Sequence, residues 1–281
     1  MHPILFSIPN TKIQIYSFGI MMVLAVWSAH GLASWRARRV GLDPNQFDDM
    51  AFVVIFCGLV GARAFYVVEV WGKPEMRTLL DALAIWKGGI VFYGSILGGG
   101  IGFLLYRSLR DLPVLPTLDV VAPSLALGIA FGRIGCFFNG CCYGDRCSLP
   151  WAVRFPQKSA PWWGHVDQGW IAKTAPHSLA IHPTQIYSAI DGFLLVILLS
   201  AFYPLRKRDG EVMALMMIAY PISRFLIERL RDDDGVFFLG MTVSQAISLA
   251  ILACGLGLAA WLRSRPAGAL YAETVKGLRA M

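Results

Sequence analysis

"TLDVVAPSLALGIAFGRIGCFF", residues 117–138, decides the fold. Between Asp119 and Arg133 it carries no charge, and its length matches the ~20 residues that cross a hydrocarbon core as a helix. Runs of this kind recur along the whole chain. They fall at 14–34, 50–71, 89–107, 117–138, 184–204, 211–230 and 242–262. In lipid every backbone polar group must be satisfied internally, which helices do. The expected fold class is therefore an all-α polytopic membrane protein. It has seven transmembrane helices in a single integral membrane domain, 1–281, with a small head at 139–183 between the fourth and fifth spans. The start of the chain lacks the basic head and small-residue cleavage site of a removed signal peptide, so it is read as the mature N-terminus.

Composition agrees with this. Of the 281 residues 56% are hydrophobic and only 15% charged, where soluble domains sit near a quarter charged. The net charge of +7 does not point to nucleic acid, because the basic residues lie mostly between apolar runs. Arg36, Arg38 and Arg39 follow the first span, Arg107 and Arg110 the third, Arg206, Lys207 and Arg208 the fifth, Arg263 and Arg265 the seventh. All four clusters fall on one side, which the positive-inside rule makes cytoplasmic. The N-terminus is then outside, the C-terminus and the tail 267–281 inside, and the head extracytoplasmic. Trp151, Trp162, Trp163 and Trp170 of the head are candidate interface anchors.

Three arginines lie within spans, where a charge is costly and marks function: Arg63, Arg133 and Arg224. Each comes late in an even-numbered span, about 7–12 Å below its outer end at 1.5 Å per residue. Tyr93 opens the third span at the same depth, and His182, Gln185 and Tyr187 open the fifth. Arg224, Glu228 and Arg231 recur at i, i+4 and i+7 and share one helix face. Buried guanidiniums suit phosphate, which they bind bidentately without losing charge. These residues imply a protein that holds a phosphate-bearing lipid in the outer leaflet. Arg63 has a second reading as a structural partner.

Two motifs stay open on the residues alone. "KGGIVFYGSILGGG", 87–100, is no nucleotide loop, because no Gly-Lys-Ser/Thr follows. Its glycines either let helices approach closely or leave room for substrate. Cys136, Cys141, Cys142 and Cys147 form C-x4-C-C-x4-C. Zinc sites favour C-x2–4-C pairs, so no metal is expected. A disulfide from Cys147 to Cys141 or Cys142 is one possibility in an oxidising compartment, and free thiols are the other. Cys57 and Cys254, inside spans, are expected to be core residues.

Five motifs, in order from about residue 13 to 262, resemble the bacterial prolipoprotein diacylglyceryl transferase family. "GRIGCFFNGCCYG" is similar to its signature at Gly132, Arg133, Gly135, Phe137, Asn139 and Gly144. "HPTQIY", "SRFLIERLR", "GGIVFYG" and "YSFGIM" resemble the others. The resemblance implies transfer of the diacylglyceryl group of phosphatidylglycerol to the lipobox cysteine of a prolipoprotein. The product is a thioether, glycerol phosphate is released, and no cofactor is used. It implies the bacterial inner membrane, with the active site facing the outer leaflet. Arg133, Arg224 and Tyr93 become candidate catalytic residues. Asn139, Gly144, His182, Gln185, Tyr187, Glu228, Arg231, Arg63 and Tyr16 become candidate substrate contacts. The departures are local. Cys136 and Cys141 stand where the family has Asn and Glu, Tyr93 where many members have a histidine, and Phe18 where the first-span tyrosine lies, with Tyr16 nearby. Two rival classes remain: a cysteine-based membrane oxidoreductase, and a non-catalytic phospholipid-binding or transport protein.

Overall fold

The computed structural model describes residues 4–7, 14–72, 78–84, 89, 91–231, 240–267 and 270–271. Nearly all of the tail assigned to 267–281 therefore lies outside the described residues. The chain opens with a short antiparallel pair, β1 (Ile4–Ser7) and β2 (Gln14–Tyr16). Helices follow: α1 (Ser17–Val40), α2 (Pro44–Val70), α3 (Leu79–Leu83), α4 (Phe92–Leu109), α5 (Val114–Asn139), α6 (Ala160–Asp167), α7 (Thr184–Phe202), α8 (Glu211–Glu228) and α9 (Val243–Arg263).

The protein is a polytopic all-α membrane protein. Five helices, α1, α2, α5, α7 with its 3-10 extension to Leu205, and α9, are long and apolar enough to cross a bilayer. Helices α4 and α8 are shorter, at 18 residues each. α4 is diluted by glycines and Arg107, and α8 carries Glu211, Arg224 and Glu228. The ends differ from the apolar runs because caps, not hydropathy, end helices. α1 continues through Arg36, Arg38 and Arg39 to Val40. α2 begins six residues before its apolar run, at Pro44, where the Asp43 carboxylate accepts the Asn45 N–H at 3.0 Å.

By contacts the chain divides into two compact units, one of residues 1–33 and 118–281, the other of residues 34–117. In the first, α5 is the central helix. Half of its apolar window is buried, against 17–28% in the other four candidate spans. Ala122 and Ala126 of α5 pack with Leu195 and Leu199 of α7 and with Val212, Met213 and Met216 of α8. Asp119, fully buried near the start of α5, caps α8. Its carboxylate accepts the N–H groups of Gly210, Val212 and Met213 at 2.7, 2.9 and 3.0 Å, with Arg206 at 3.5 Å. These N–H groups have no partner inside their own helix.

Residues 140–183 fold over the end of α5 around fully or nearly buried Phe155, Ile181, His165 and Trp162. Trp162 is a core residue here, its indole N–H donating to the Ala175 carbonyl at 2.8 Å. Its expected role as an interface anchor is thereby corrected, whereas Trp151 and Trp163 are exposed.

The second unit is built on α2 against α4, and the glycine stretch explains how. A Cβ on Gly61 would lie 2.8 Å from the Gly98 Cα, and one on Gly102 would lie 2.8 Å from the Cys57 Cβ. The glycines of α4 thus let two backbones touch, which decides between the two readings left open for them. Cys57 packs in this seam as expected. Cys254 is exposed on α9, contrary to the core position expected for it.

Gly61→Ala should lower the thermal unfolding midpoint in detergent, since overpacking costs about 1–3 kcal/mol. Gly100→Ala, with nothing within 4 Å, should leave it unchanged. Scanning fluorimetry of the two variants checks this.

Candidate functional site

The first unit gathers arginines at the ends of α5 and α8. Glu228, in the last turn of α8, has a fully buried side chain. Its Oε2 forms an ion pair with the Arg224 guanidinium and accepts a hydrogen bond from Arg231 at 3.2 Å. Its Oε1 accepts the Thr242 hydroxyl at 3.0 Å. Arg224 also donates to the Ser244 hydroxyl at 2.9 Å. Thr242 is the N-cap of α9 and forms a capping box with Gln245. One carboxylate therefore ties both arginines to the start of α9.

Arg133 is on the last two turns of α5. Among the described residues it makes no hydrogen bond and no ion pair, yet it acts electrostatically on Tyr220, Cys142, Cys136 and Arg231. Arg224 in turn is within reach of Arg133, Glu228, Arg231 and Tyr220. Among the described residues, three guanidiniums thus share one locality with the Glu228 carboxylate. Guanidiniums gathered in this way suit an anion such as phosphate. Tyr220 was missed in the sequence, although it lies one helical turn before Arg224 and so on the same face. Ser244 and Thr242 were also missed. They come from another helix, and no local spacing points to them.

A turn beyond α5 fixes the neighbouring wall. The buried Thr184 and Gln185 side chains donate to the carbonyls of Cys142 and Cys141, both at 2.8 Å. Gly144 donates its N–H to the His182 carbonyl at 3.1 Å. A Cβ there would lie 2.6 Å from the His182 Cβ and 2.7 Å from the Leu230 carbonyl oxygen. Gly144 is thus a buried point of close approach between three segments. The His182 Nδ1 and the Trp151 indole N–H both meet the Tyr187 hydroxyl, at 3.3 and 2.7 Å. Asn139 is exposed at the last position of α5.

Other candidates lie elsewhere. Tyr16 is exposed on β2, its hydroxyl donating to Gln14 at 3.1 Å. Arg63 and Tyr93 belong to the second unit. The Arg63 guanidinium donates to the carbonyls of Ala82, Gly89 and Asp81 at 2.8, 2.9 and 2.5 Å. This makes it the structural partner of the chain around α3. Tyr93 is half-exposed on the first turn of α4.

The cysteines pair differently from the disulfide considered for Cys147. All six are free thiols. Cys147 accepts the Leu149 N–H at 3.3 Å, while Cys136 meets Cys141 and Cys142. Sequence spacing alone cannot foresee this, because a left-handed turn at Gly140 and Cys142 brings the three together.

A sequence model of the family described as prolipoprotein diacylglyceryl transferase matches residues 3–261. The chain belongs to this family. Among its relatives is a phosphatidylglycerol–prolipoprotein diacylglyceryl transferase of Clostridium tetani, 35% identical over 91% of this chain and 96% of that one. A protein of the same name from Synechococcus elongatus is 34% identical over 87% and 82%. The enzyme numbered 2 of Clostridium perfringens is 32% identical over 87% and 90%. In this member of the diacylglyceryl transferase family, the arginine cluster holds the residues that carried the resemblance in "GRIGCFFNGCCYG" and "SRFLIERLR".

Replacing Glu228 by Ala should destabilise the fold by about 3–5 kcal/mol, because it removes the buried ion-pair partner of Arg224. Thermal unfolding of the detergent-solubilised variant measures the loss. An unchanged midpoint would show that the carboxylate does not organise the cluster.

Proposed function

We propose that the protein transfers the diacylglyceryl group of phosphatidylglycerol to the thiol of a prolipoprotein's lipobox cysteine. The observation that carries this reading is Arg133, without a hydrogen bond or ion pair among the described residues, beside the Glu228-tethered Arg224 and Arg231. It supports a phosphate-binding site. The family membership and the names of the relatives support the choice of donor and acceptor.

The chemistry follows from that charge. The cysteine sulfur attacks the glyceryl carbon that bears the phosphate. A C–S bond forms, the C–O bond to phosphate breaks, and its electron pair leaves on glycerol phosphate. Arg133 and Arg224 stabilise the negative charge that builds there, Arg224 from a position held by Glu228 and Ser244. A thiol with an ordinary pKa near 8.5 meets a positive field that favours thiolate, and the departing phosphate can take up its proton. Tyr93 is assigned to relay that proton, on its place in the "GGIVFYG" motif. Glu228 is a positioning residue, since it acts through the arginines.

The same reading places seven helices across the bacterial inner membrane, with the N-terminus outside and the C-terminus inside. The head at 139–183 and the phosphate site then face the extracytoplasmic side. Seven helices of 18 or more residues among those described, and the four basic clusters on one side, support it. In a background with all six native cysteines replaced by serine, a thiol-reactive reagent that cannot cross membranes should label Gln157→Cys in intact spheroplasts and leave Lys207→Cys unlabelled. The opposite pattern would invert the topology.

The decisive assay incubates purified protein, phosphatidylglycerol and a lipobox peptide, with mass spectrometry of the peptide. A diacylglyceryl adduct is expected, and its absence would favour a lipid-binding protein without catalysis. Arg133→Ala and Arg224→Ala should each lower turnover at least a hundredfold at normal protein level. Full activity in either would remove the phosphate assignment. Tyr93→Phe tests the relay: near-normal turnover would reduce Tyr93 to orienting the lipid.

A further inference from the structure

Three thiols that the transfer chemistry leaves unused converge at the exit of α5. The Sγ atoms of Cys136, Cys141 and Cys142 all lie within 4.8 Å of one another, and each residue is partly exposed. Two features of the backbone produce this. Gly140, at φ +77°, reverses the chain, and the N–H groups of Gly140 and Cys141 donate back to the Cys136 carbonyl at 2.9 and 3.2 Å. Cys142 is then held at φ +58°, a region that side-chain-bearing residues rarely adopt. The Thr184 and Gln185 side chains, 1% and 0% exposed, lock it there through the two 2.8 Å hydrogen bonds to the Cys142 and Cys141 carbonyls. A strained backbone held by its surroundings is a pointer to function, and its effect here is to bring three sulfurs together.

We propose that Cys136, Cys141 and Cys142 form a three-thiolate site for a soft, thiophilic cation of the Cu(I) type. Three sulfurs bound at ~2.3 Å around one ion sit about 4 Å apart, by the geometry of metal–thiolate bonds, so the cluster needs little adjustment. Thiolates select Cu(I), zinc and related soft ions. Structural zinc takes four protein ligands, whereas three donors converge here among the described residues. Charge separates the candidates further. Arg133 acts on both Cys136 and Cys142, with Arg224 and Arg231 beyond it. This field repels a free dication more than a monocation, and it stabilises the dianion that one monovalent ion makes with three thiolates. On binding, three metal–sulfur bonds form and three thiol protons pass to solvent. No electron moves, so the ion enters and remains as Cu(I). Binding at this site needs no turnover to be measured.

The test uses the full chain in detergent, reduced and anaerobic, with Cu(I) offered as its bicinchoninate complex. One Cu(I) per chain should be withdrawn from the chelator, and X-ray absorption at the copper edge should show three sulfur neighbours. Cys141→Ser should weaken binding at least tenfold. The triple variant Cys57→Ser, Cys147→Ser, Cys254→Ser keeps only the three proposed ligands and should bind like the parent. That variant decides the matter even if Cys141→Ser fails to fold. No binding by it, two sulfur neighbours instead of three, or tighter binding of Zn(II) than of Cu(I) would overturn the proposal. So would a disulfide among the three thiols in protein alkylated at cell lysis, which would make them a redox pair.

Discussion

One buried carboxylate organises the site. Glu228 has no exposed side-chain surface, yet it carries charge in an apolar bundle. That is tolerable only because two guanidiniums and a hydroxyl saturate its oxygens. Satisfying Glu228 fixes Arg224 and Arg231 at the end of α8 and ties them to the cap of α9. It also leaves Arg133, arriving from α5, with no counter-charge among the described residues. The asymmetry between paired and unpaired arginines is what suits the cluster to an incoming anion. A set of fully matched ion pairs would have no reason to bind a phosphate.

The second constraint is the turn that follows α5. Its carbonyls receive the buried side chains of Thr184 and Gln185, its Gly144 packs on His182 and Leu230, and the Asp145 N–H reaches the Leu230 carbonyl at 2.8 Å. Three helix ends, those of α5, α7 and α8, are thereby pinned at one level. The arginines of α5 and α8 stay in register because their helices cannot slide past this point. The same pinning holds the three thiols together, so the anion site and the sulfur cluster share one rigid support.

Much of this was legible before any coordinates. Arg133, Arg224 and Glu228 are charges inside apolar runs, and a charge in such a run is informative on its own because burying it is expensive. The i, i+4 spacing of Arg224 and Glu228 placed those two on one face of α8, but Arg231, expected on the same face, lies past the helix end in an extended bridge to Gly144 and meets Glu228 from there. Other residues carried no such signal. Ser244 and Thr242 reach the cluster from α9, and Tyr220 looks like any aromatic of a span. Gly144 and Gln185 matched motifs as candidate contacts, yet their surroundings give them packing and clamping roles. Helix ends ran past the apolar windows because capping groups such as Asp43 act regardless of hydropathy.

The sequence by itself determined that the chain is a polytopic helical membrane protein, and that its costly charges sit late in particular apolar runs. Hydropathy and helical periodicity are local properties, so a linear reading contains them. Only the tertiary structure decided which arginine is paired and which is left over, that the α4 glycines serve helix contact, and that Cys136 rather than Cys147 joins Cys141 and Cys142. These depend on distances between segments far apart in the chain and on a left-handed turn, which residue spacing does not encode.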